Sequence, residues 1–369
     1  MSKYLKILIN KRNFKMDVHL LFYISSSDSE EDETVARRLL RDKSDPLALP
    51  QTAFLKRFRL SKEAFQFVLH ALNLKQSDAK AVPPVLQLAA TLSLLGSGGY
   101  QHCVGSDYLV GMCQSTVSKI TSHVILEMEN KLCPQNIQFH LNETSECKQW
   151  FMDKYKIPGV IGCIDGTHIG LQRPSVDEHM YFTRKGYHSI NAMIMCDHTY
   201  KILAINCQYG GAAHDSFVWR HSDQRRVLQE RFEINRRSNA WLLGDSGYPL
   251  EPWCITPYRN PADGSSESAF NDVHSKARCI IERTIGIFKG RWRILGYGNR
   301  GRYHPTKVAR FANVCAALHN ICIQFKIDYN VRRYESDQIS DVDPGEANHL
   351  TTIGQTIRDQ IKHSLINST

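Results

Sequence analysis

Four short apolar runs in the second half of the chain limit what it can fold into. "PGVIGCID", "SINAMIMCD", "YKILAINCQY" and "AWLLGD" are each bounded by Gly, Pro, His or Asp, and they read as strands. Everything before Trp150 has a different texture. In "TAFLKRFRLSKEAFQFVLHALNL", Phe54, Phe58, Phe65, Val68, Leu69 and Leu72 recur at helical steps. "AVPPVLQLAATLSLLGSGGY" is bracketed by Pro at its entry and Gly at its exit, which marks another helix. Helical pattern returns over 271–295 and 307–325. The expected class is therefore α+β: a helical front half, then a mixed sheet flanked by helices. A chain of 369 residues has room for two or three domains of roughly 100–200 residues.

Within the front half, "GSDYLVGMCQSTVSKITSHVILEME" reads as a short helix, a turn at Gly111 and a longer helix, with Ser115 as its cap. This is the pattern of a helix-turn-helix near residues 105–126. Its second helix would present Gln114, Ser115, Thr116, Ser118 and Lys119 to a DNA groove. Ordinary all-α packing produces the same pattern, so the reading rests on more than this stretch.

Charge points the same way. The chain carries a formal +9. Between Lys276 and Arg310 there are ten Lys or Arg against one acid, Glu282. Such a block suits a polyanion, because neutralising phosphates releases counterions. A solvated basic face is the plain alternative. Eleven cysteines without a CxxC pair argue against a zinc ribbon or a disulfide framework and for a reducing compartment. No apolar run approaches the ~18 residues of a membrane span. The expectation is a soluble intracellular protein. "SSSDSEEDET" (25–34) reads as part of a disordered acidic tail, and the residues after about Lys326 as a polar tail, disordered or loosely helical.

Acidic residues fall at informative places. Asp165 closes "VIGCID", Asp245 closes "WLLGD", Asp215 sits in "GGAAHDS", and Glu282 lies in the late helix. Acids at strand ends project into the crevice where α/β sites form. Singly, each has a bland explanation: a helix cap for Asp245, a turn for Asp215, an ion pair with Arg278 for Glu282. Together, carboxylates beside a basic stripe (Arg278, Gly286, Lys289, Arg293) suit two hard divalent ions, Mg²⁺ or Mn²⁺, acting on a phosphodiester. On this reading Asp165 pairs with a metal rather than a basic side chain.

"IGCIDGTHIGLQRP", "FTRKGYHSINAMIMCD", "GGAAHDSFVW", "LLGDSGYP", "IERTIGIFKGRWRIL" and "ALHNICI", in that order, resemble the PIF/Harbinger DDE transposases over about residues 85–325. Pattern and composition set a helical domain over 46–150 and tails over 1–45 and 326–369; the resemblance implies an RNase H-like nuclease core beside them, here spanning 151–325. It implies Asp165, Asp245 and Glu282 as the catalytic acids, with Asp215 as a further metal ligand. His168 and His214 would stand beside the metal or touch substrate rather than ligate. Arg184, Lys185, Arg278, Lys289, Arg291 and Arg293 would hold DNA. It further implies a Myb/SANT-like partner that aids DNA binding and nuclear entry, residence in nucleus and cytoplasm, and no membrane association; self-association is left open. Two other classes stand beside the nuclease: a DNA-binding adaptor with an idle site, and an HD-type phosphohydrolase suggested by His214-Asp215. The latter needs its ligands on helices, whereas "GGAAHDS" is Gly-rich and lies between strands. A zinc deaminase is excluded by the missing PCxxC.

Overall fold

The computed structural model describes Leu39, Arg41 and residues 43–75, 81–107, 109–142, 144–236, 239–296, 303–328 and 349–366. The acidic stretch 25–34 and most of both expected tails lie outside those residues. The four apolar runs form β1 (Val160–Gly170), β2 (Ser189–Cys196), β3 (Ile202–Gly210) and β4 (Trp241–Leu243). A fifth strand, β5 (Cys254–Ile255), is too short to show any period in sequence. The order across the sheet is β3-β2-β1-β4-β5. β1, β2 and β3 pair antiparallel, whereas β4 lies parallel to β1 and β5 parallel to β4.

The helices are α1 (Gln51–Phe58), α2 (Lys62–Leu72), α3 (Pro84–Ser97), α4 (Gln101–Gly105), α5 (Gln114–Lys131), α6 (Cys133–Asn136) and α7 (Ser145–Tyr155), all before the sheet. α8 (Asp215–Arg220) and α9 (Asp223–Ile234) connect β3 to β4. α10 (Ser266–Arg291), α11 (Pro305–Gln324) and α12 (His349–Ile366) follow β5. Among the described residues no helix is long and apolar enough to cross a membrane. All eleven cysteines are free thiols.

Strand alternation sorts the sheet residues onto two faces. Cys163, Ala192, Ile194, Cys196 and Leu243 join one apolar cluster with Ile281, Ile285 and Phe288 of α10 and with α11. Ile161, Ile164, Met193, Met195 and Leu242 join a second with Val218, Trp219, Leu228 and Phe232 of α8 and α9. Helices therefore cover both faces, as the apolar runs demand. The first cluster also contains Phe54, Phe58 and Phe65, so residues 46–150 and the sheet share one continuous core. The stripe expected on α10 (Ile281, Ile285, Phe288, Trp292) is buried along its length. Each such side chain contributes about 1.5–3 kcal/mol on burial.

Three expectations need correction. Asp165 does not close its strand. β1 continues to Gly170 because its antiparallel pairing with β2 runs on from Cys163↔Cys196 to Gly170↔Ser189. Ser115 is not the cap of α5; Cys113 occupies that position and its Sγ lies 3.2 Å from Ser115 Oγ and 3.0 Å from Thr116 Oγ1. The C-terminal segment is not wholly loose either. α12 buries Ile361 in the main core, and its Arg358 guanidinium lies 3.8 Å from the centroid of the Tyr258 ring. The turn itself lies where Gly111 was expected, with a left-handed φ of 54°, but the helix before it, α4, has five residues.

Candidate active site

Register explains why two acids far apart in sequence meet. The parallel pair β1 and β4 aligns Cys163 with Leu243. Asp165 and Asp245 each lie two residues beyond that pair, so they emerge side by side where β4 ends and β1 continues. Asp215 arrives from the opposite side, as the first residue of α8. It reaches the sheet over Gly166, where a Cβ would lie 2.7 Å from the Asp215 Cγ. Only glycine leaves room there. The result is a notch in which one carboxylate oxygen from each of Asp165, Asp215 and Asp245 lies within 4.8 Å of the others.

Each carboxylate is oriented by a donor. The Gly166 N–H donates to Asp165 Oδ1 and the Gly247 N–H to Asp245 Oδ1, both at 2.9 Å. Asn191 Nδ2 donates to Asp215 Oδ1 (2.7 Å) and to the Ala213 carbonyl (3.0 Å), pinning the loop before α8. Burial pushes the Asp165 carboxyl up to about 7, and the neighbouring Asp245 and Asp215 add to this while Arg278 opposes it. Tyr248, buried three residues after Asp245, has its hydroxyl raised by burial and then by the same three acids. Three hard oxygen donors this close fit Mg²⁺ or Mn²⁺.

Glu282 stands one residue removed from the notch. Arg278 Nη1 donates to Asp165 Oδ2 at 2.9 Å, and Arg278 Nη2 to Glu282 Oε1 at 2.5 Å. Asp165 thus meets a guanidinium that the sequence reading did not give it, while its carboxylate also belongs to the three-acid notch. The i,i+4 pair of Arg278 with Glu282 exists as well, and the two bonds make one bridge.

The basic stripe of α10 divides in the structure. Arg278 is buried in that bridge. Lys289 is buried and donates to the His168 carbonyl at 2.8 Å, and Arg291 is buried and donates to the Ile327 carbonyl at 3.0 Å. Arg278 and Lys289 lie on the side of the helix that packs against β1, whereas Arg291, at the helix end, turns to the carbonyl just after α11. Arg293 is exposed beyond the helix end. Arg184 and Lys185 are exposed and line a cleft of about 210 Å³ together with His168, Tyr187, His214 and Asp215. His168 Nδ1 bonds Ser189 Oγ at 3.0 Å. At the start of α5, Gln114, Ser115 and Lys119 are exposed, while Thr116 and Ser118 are half-buried. Asn191, Gly166 and Tyr248 were not singled out from sequence. Asn191 had a visible signal: it is the polar residue inside "SINAMIMC".

A scan against known families matches residues 164–320 to the model described as "DDE superfamily endonuclease". The chain carries a DDE superfamily endonuclease domain. All four acids fall inside this DDE domain, as does the basic helix α10. Its relatives include the mouse (Mus musculus) protein named "Putative nuclease HARBI1", 28% identical over 362 residues, covering 95% of this chain and 97% of the mouse one. The human (Homo sapiens) protein of the same name is 28% identical over 319 residues, covering 85% and 86%. "Protein ALP1-like" of Arabidopsis thaliana is 26% identical over 314 residues, covering 79% and 74%. The resemblance to Harbinger-type DDE proteins seen in the sequence thus holds. No solved structure matches the chain significantly.

Proposed function

We propose that the chain is a metal-dependent endonuclease that hydrolyses phosphodiester bonds in DNA. The observation that carries this is the convergence of Asp165, Asp215 and Asp245 inside the DDE domain. The strand order β3-β2-β1-β4-β5, with β4 and β5 parallel to a central β1, supports the RNase H-like reading. Asp165, Asp215 and Asp245 would hold Mg²⁺ or Mn²⁺, with Glu282 as the fourth acid. Divalent ions held there would supply Lewis acidity for in-line displacement at phosphorus.

The chain's own residues do the rest. Gly166 and Gly247 N–H groups fix the rotamers of Asp165 and Asp245, and Asn191 fixes Asp215. Lys289, by holding the His168 carbonyl, keeps β1 against α10 beside the acids. Arg184 and Lys185 hold backbone phosphates along the cleft that ends on Asp215. The exposed start of α5 (Gln114, Ser115, Lys119, with Thr116 and Ser118 behind) reads a DNA groove, and Arg293 adds a phosphate contact. A Myb/SANT-like partner and residence in nucleus and cytoplasm are supported by the family resemblance alone.

The test is the double variant Asp165→Asn, Asp245→Asn, assayed with Mg²⁺ and with Mn²⁺ on inverted-repeat DNA. Loss of cutting with DNA binding retained is expected. Unchanged cutting would sink the mechanism, and binding by the wild type without cutting in either ion would favour the idle adaptor.

A further inference from the structure

The connection between β1 and β2 ends in a tight turn. Phe182 and His188 form an antiparallel bridge. Between them the Thr183 N–H donates to the Tyr187 carbonyl at 2.9 Å, and the Gly186 N–H to the Thr183 carbonyl at 3.0 Å. Gly186 has a left-handed φ of 78°, which glycine adopts without strain, and Arg184 and Lys185 fall at the exposed tip. The Phe182 ring is 49% exposed, yet it is held in place. Its centroid lies 5.2 Å from that of His188, whose Nε2 lies 2.8 Å from Glu178 Oε1. The backbone around it is pinned too, by the Ala212 N–H on the Met180 carbonyl (3.0 Å) and the Ser189 N–H on the Tyr181 carbonyl (2.9 Å). Single exposed apolar side chains are ordinary on a protein surface. This one lines the cleft of about 210 Å³ that also holds Arg184, Lys185 and, from the acid notch, Asp215.

Resting on the endonuclease reading, we propose that Phe182 stacks on an unpaired DNA base in this cleft, so that the preferred substrate carries unpaired nucleotides beside the phosphate to be cut. A nucleotide joins a flat aromatic ring to an anion. The cleft offers a partner for each: the Phe182 ring for the base, and Arg184 and Lys185 on the adjoining turn for the phosphate. Its size decides between a single base and a duplex. About 210 Å³ lies below the ~300 Å³ at which pockets for drug-sized ligands begin, so one base fits and a base pair does not. A paired base must first leave its stack, which costs free energy, whereas an unpaired one enters directly. Phe182 is thus a specificity-determining residue that acts at DNA binding, ahead of any cut.

Fluorescence anisotropy with the full chain in EDTA tests this on two labelled duplexes of one sequence, one fully paired and one with a short unpaired bulge. The wild type should bind the bulged duplex at least about fivefold tighter. Phe182→Ala should lose roughly 5- to 150-fold in affinity for the bulged duplex, the range for one stacked base, and its ratio between the two DNAs should fall below about twofold. Phe182→Leu keeps an apolar side chain without a π face and should behave as the Ala variant does. Phe182→Tyr should retain the preference. The ring is half-exposed, so these variants should fold, which matched thermal unfolding checks. Equal binding of both duplexes by the wild type, binding of neither, or a preference that survives Phe182→Ala or Phe182→Leu overturns the proposal. Unchanged DNA binding by Phe182→Ala together with lost self-association would assign the ring to a protein contact and overturn it equally. The titrations contain no divalent ion and require no cleavage. A chain that shows the preference but never cuts DNA refutes the nuclease reading alone, and one that cuts DNA but binds both duplexes equally refutes the stacking role alone.

Discussion

Gly166→Ala tests whether Asp215 belongs to the metal set. The substitution adds one methyl group at a strand position whose φ is not in the left-handed region, so the backbone accepts it. The new Cβ would stand 2.7 Å from Asp215 Cγ and 2.8 Å from Oδ2, against 3.4 Å for ordinary contact. Asp215 must therefore retreat by about 0.7 Å at Cγ, the difference between those distances, whereas a metal site tolerates roughly ±0.2 Å at each ligand. Asn191 holds Asp215 at 2.7 Å and loses that bond as it moves. Displacing a ligand should cost at least the ~10–100-fold in affinity that outer-shell disruptions cost. Each tenfold corresponds to about 1.4 kcal/mol. Stability without metal should stay within about 1 kcal/mol, because Ala narrows the unfolded ensemble and the displaced group is the end of a half-buried side chain. The assay pairs Mn²⁺ calorimetry with thermal unfolding. A variant that folds normally and binds Mn²⁺ with wild-type affinity refutes the argument that Asp215 reaches the ion over Gly166.

Asn320→Ala should destabilise the fold by about 3 kcal/mol, read from urea unfolding, since three backbone groups lose partners at about 1 kcal/mol each. Those groups are the Ile202 N–H and C=O and the Asn136 C=O, bonded at 2.7–2.8 Å. Glu251→Ala should cost about 3–5 kcal/mol by chemical denaturation, the range for stripping one partner from a buried pair. It would abandon Arg225, paired with Glu251 at 2.7 Å, and the Trp219 Nε1–H, bonded to it at 2.9 Å. Burial lowers both His274 and His319 to about 4, so each stays neutral in the fold while the unfolded chain takes up protons near 6.5. Their stabilising share is complete above about pH 6.5 and is lost as pH falls towards 4, by about 3 kcal/mol for each residue. Urea midpoints measured from pH 7 to 4 should fall, and His319→Gln should flatten part of the slope.

Local information in the sequence was enough for strands β1 to β4 and for picking out Asp165 and Asp245, which the fold brings together. β1 to β4 are apolar runs whose boundaries are set by neighbouring Gly, Pro and Asp, and Asp165 and Asp245 stand out because each follows such a run. The apolar stripe of α10 was equally legible, since helical period is a property of adjacent turns. β5 was not, because two residues have no period. α12 was legible only as a loose helix: Leu350, Ile353, Ile357, Ile361 and Leu365 recur at steps of three and four, but polar residues surround them and only the docking site near Tyr258 makes burial worthwhile.

What the tertiary structure alone decided is which charges meet. Asp165 and Arg278 lie 113 residues apart, and no spacing rule joins them. Their contact exists because Cys163 and Ala277, two residues before one and one before the other, pack β1 against α10, with Cys163 Sγ 3.9 Å from the Ala277 carbonyl. The same packing turns Lys289 inward, so the basic stripe divides into a buried bridge at Arg278, a backbone anchor at Lys289 and one exposed cation, Arg293. Charge in sequence is additive, whereas charge in a fold depends on desolvation and on the nearest partner. The chain's composition raised the expectation of a polyanion; the β1–β4 register and the missing side chain at Gly166 determined where three carboxylates converge.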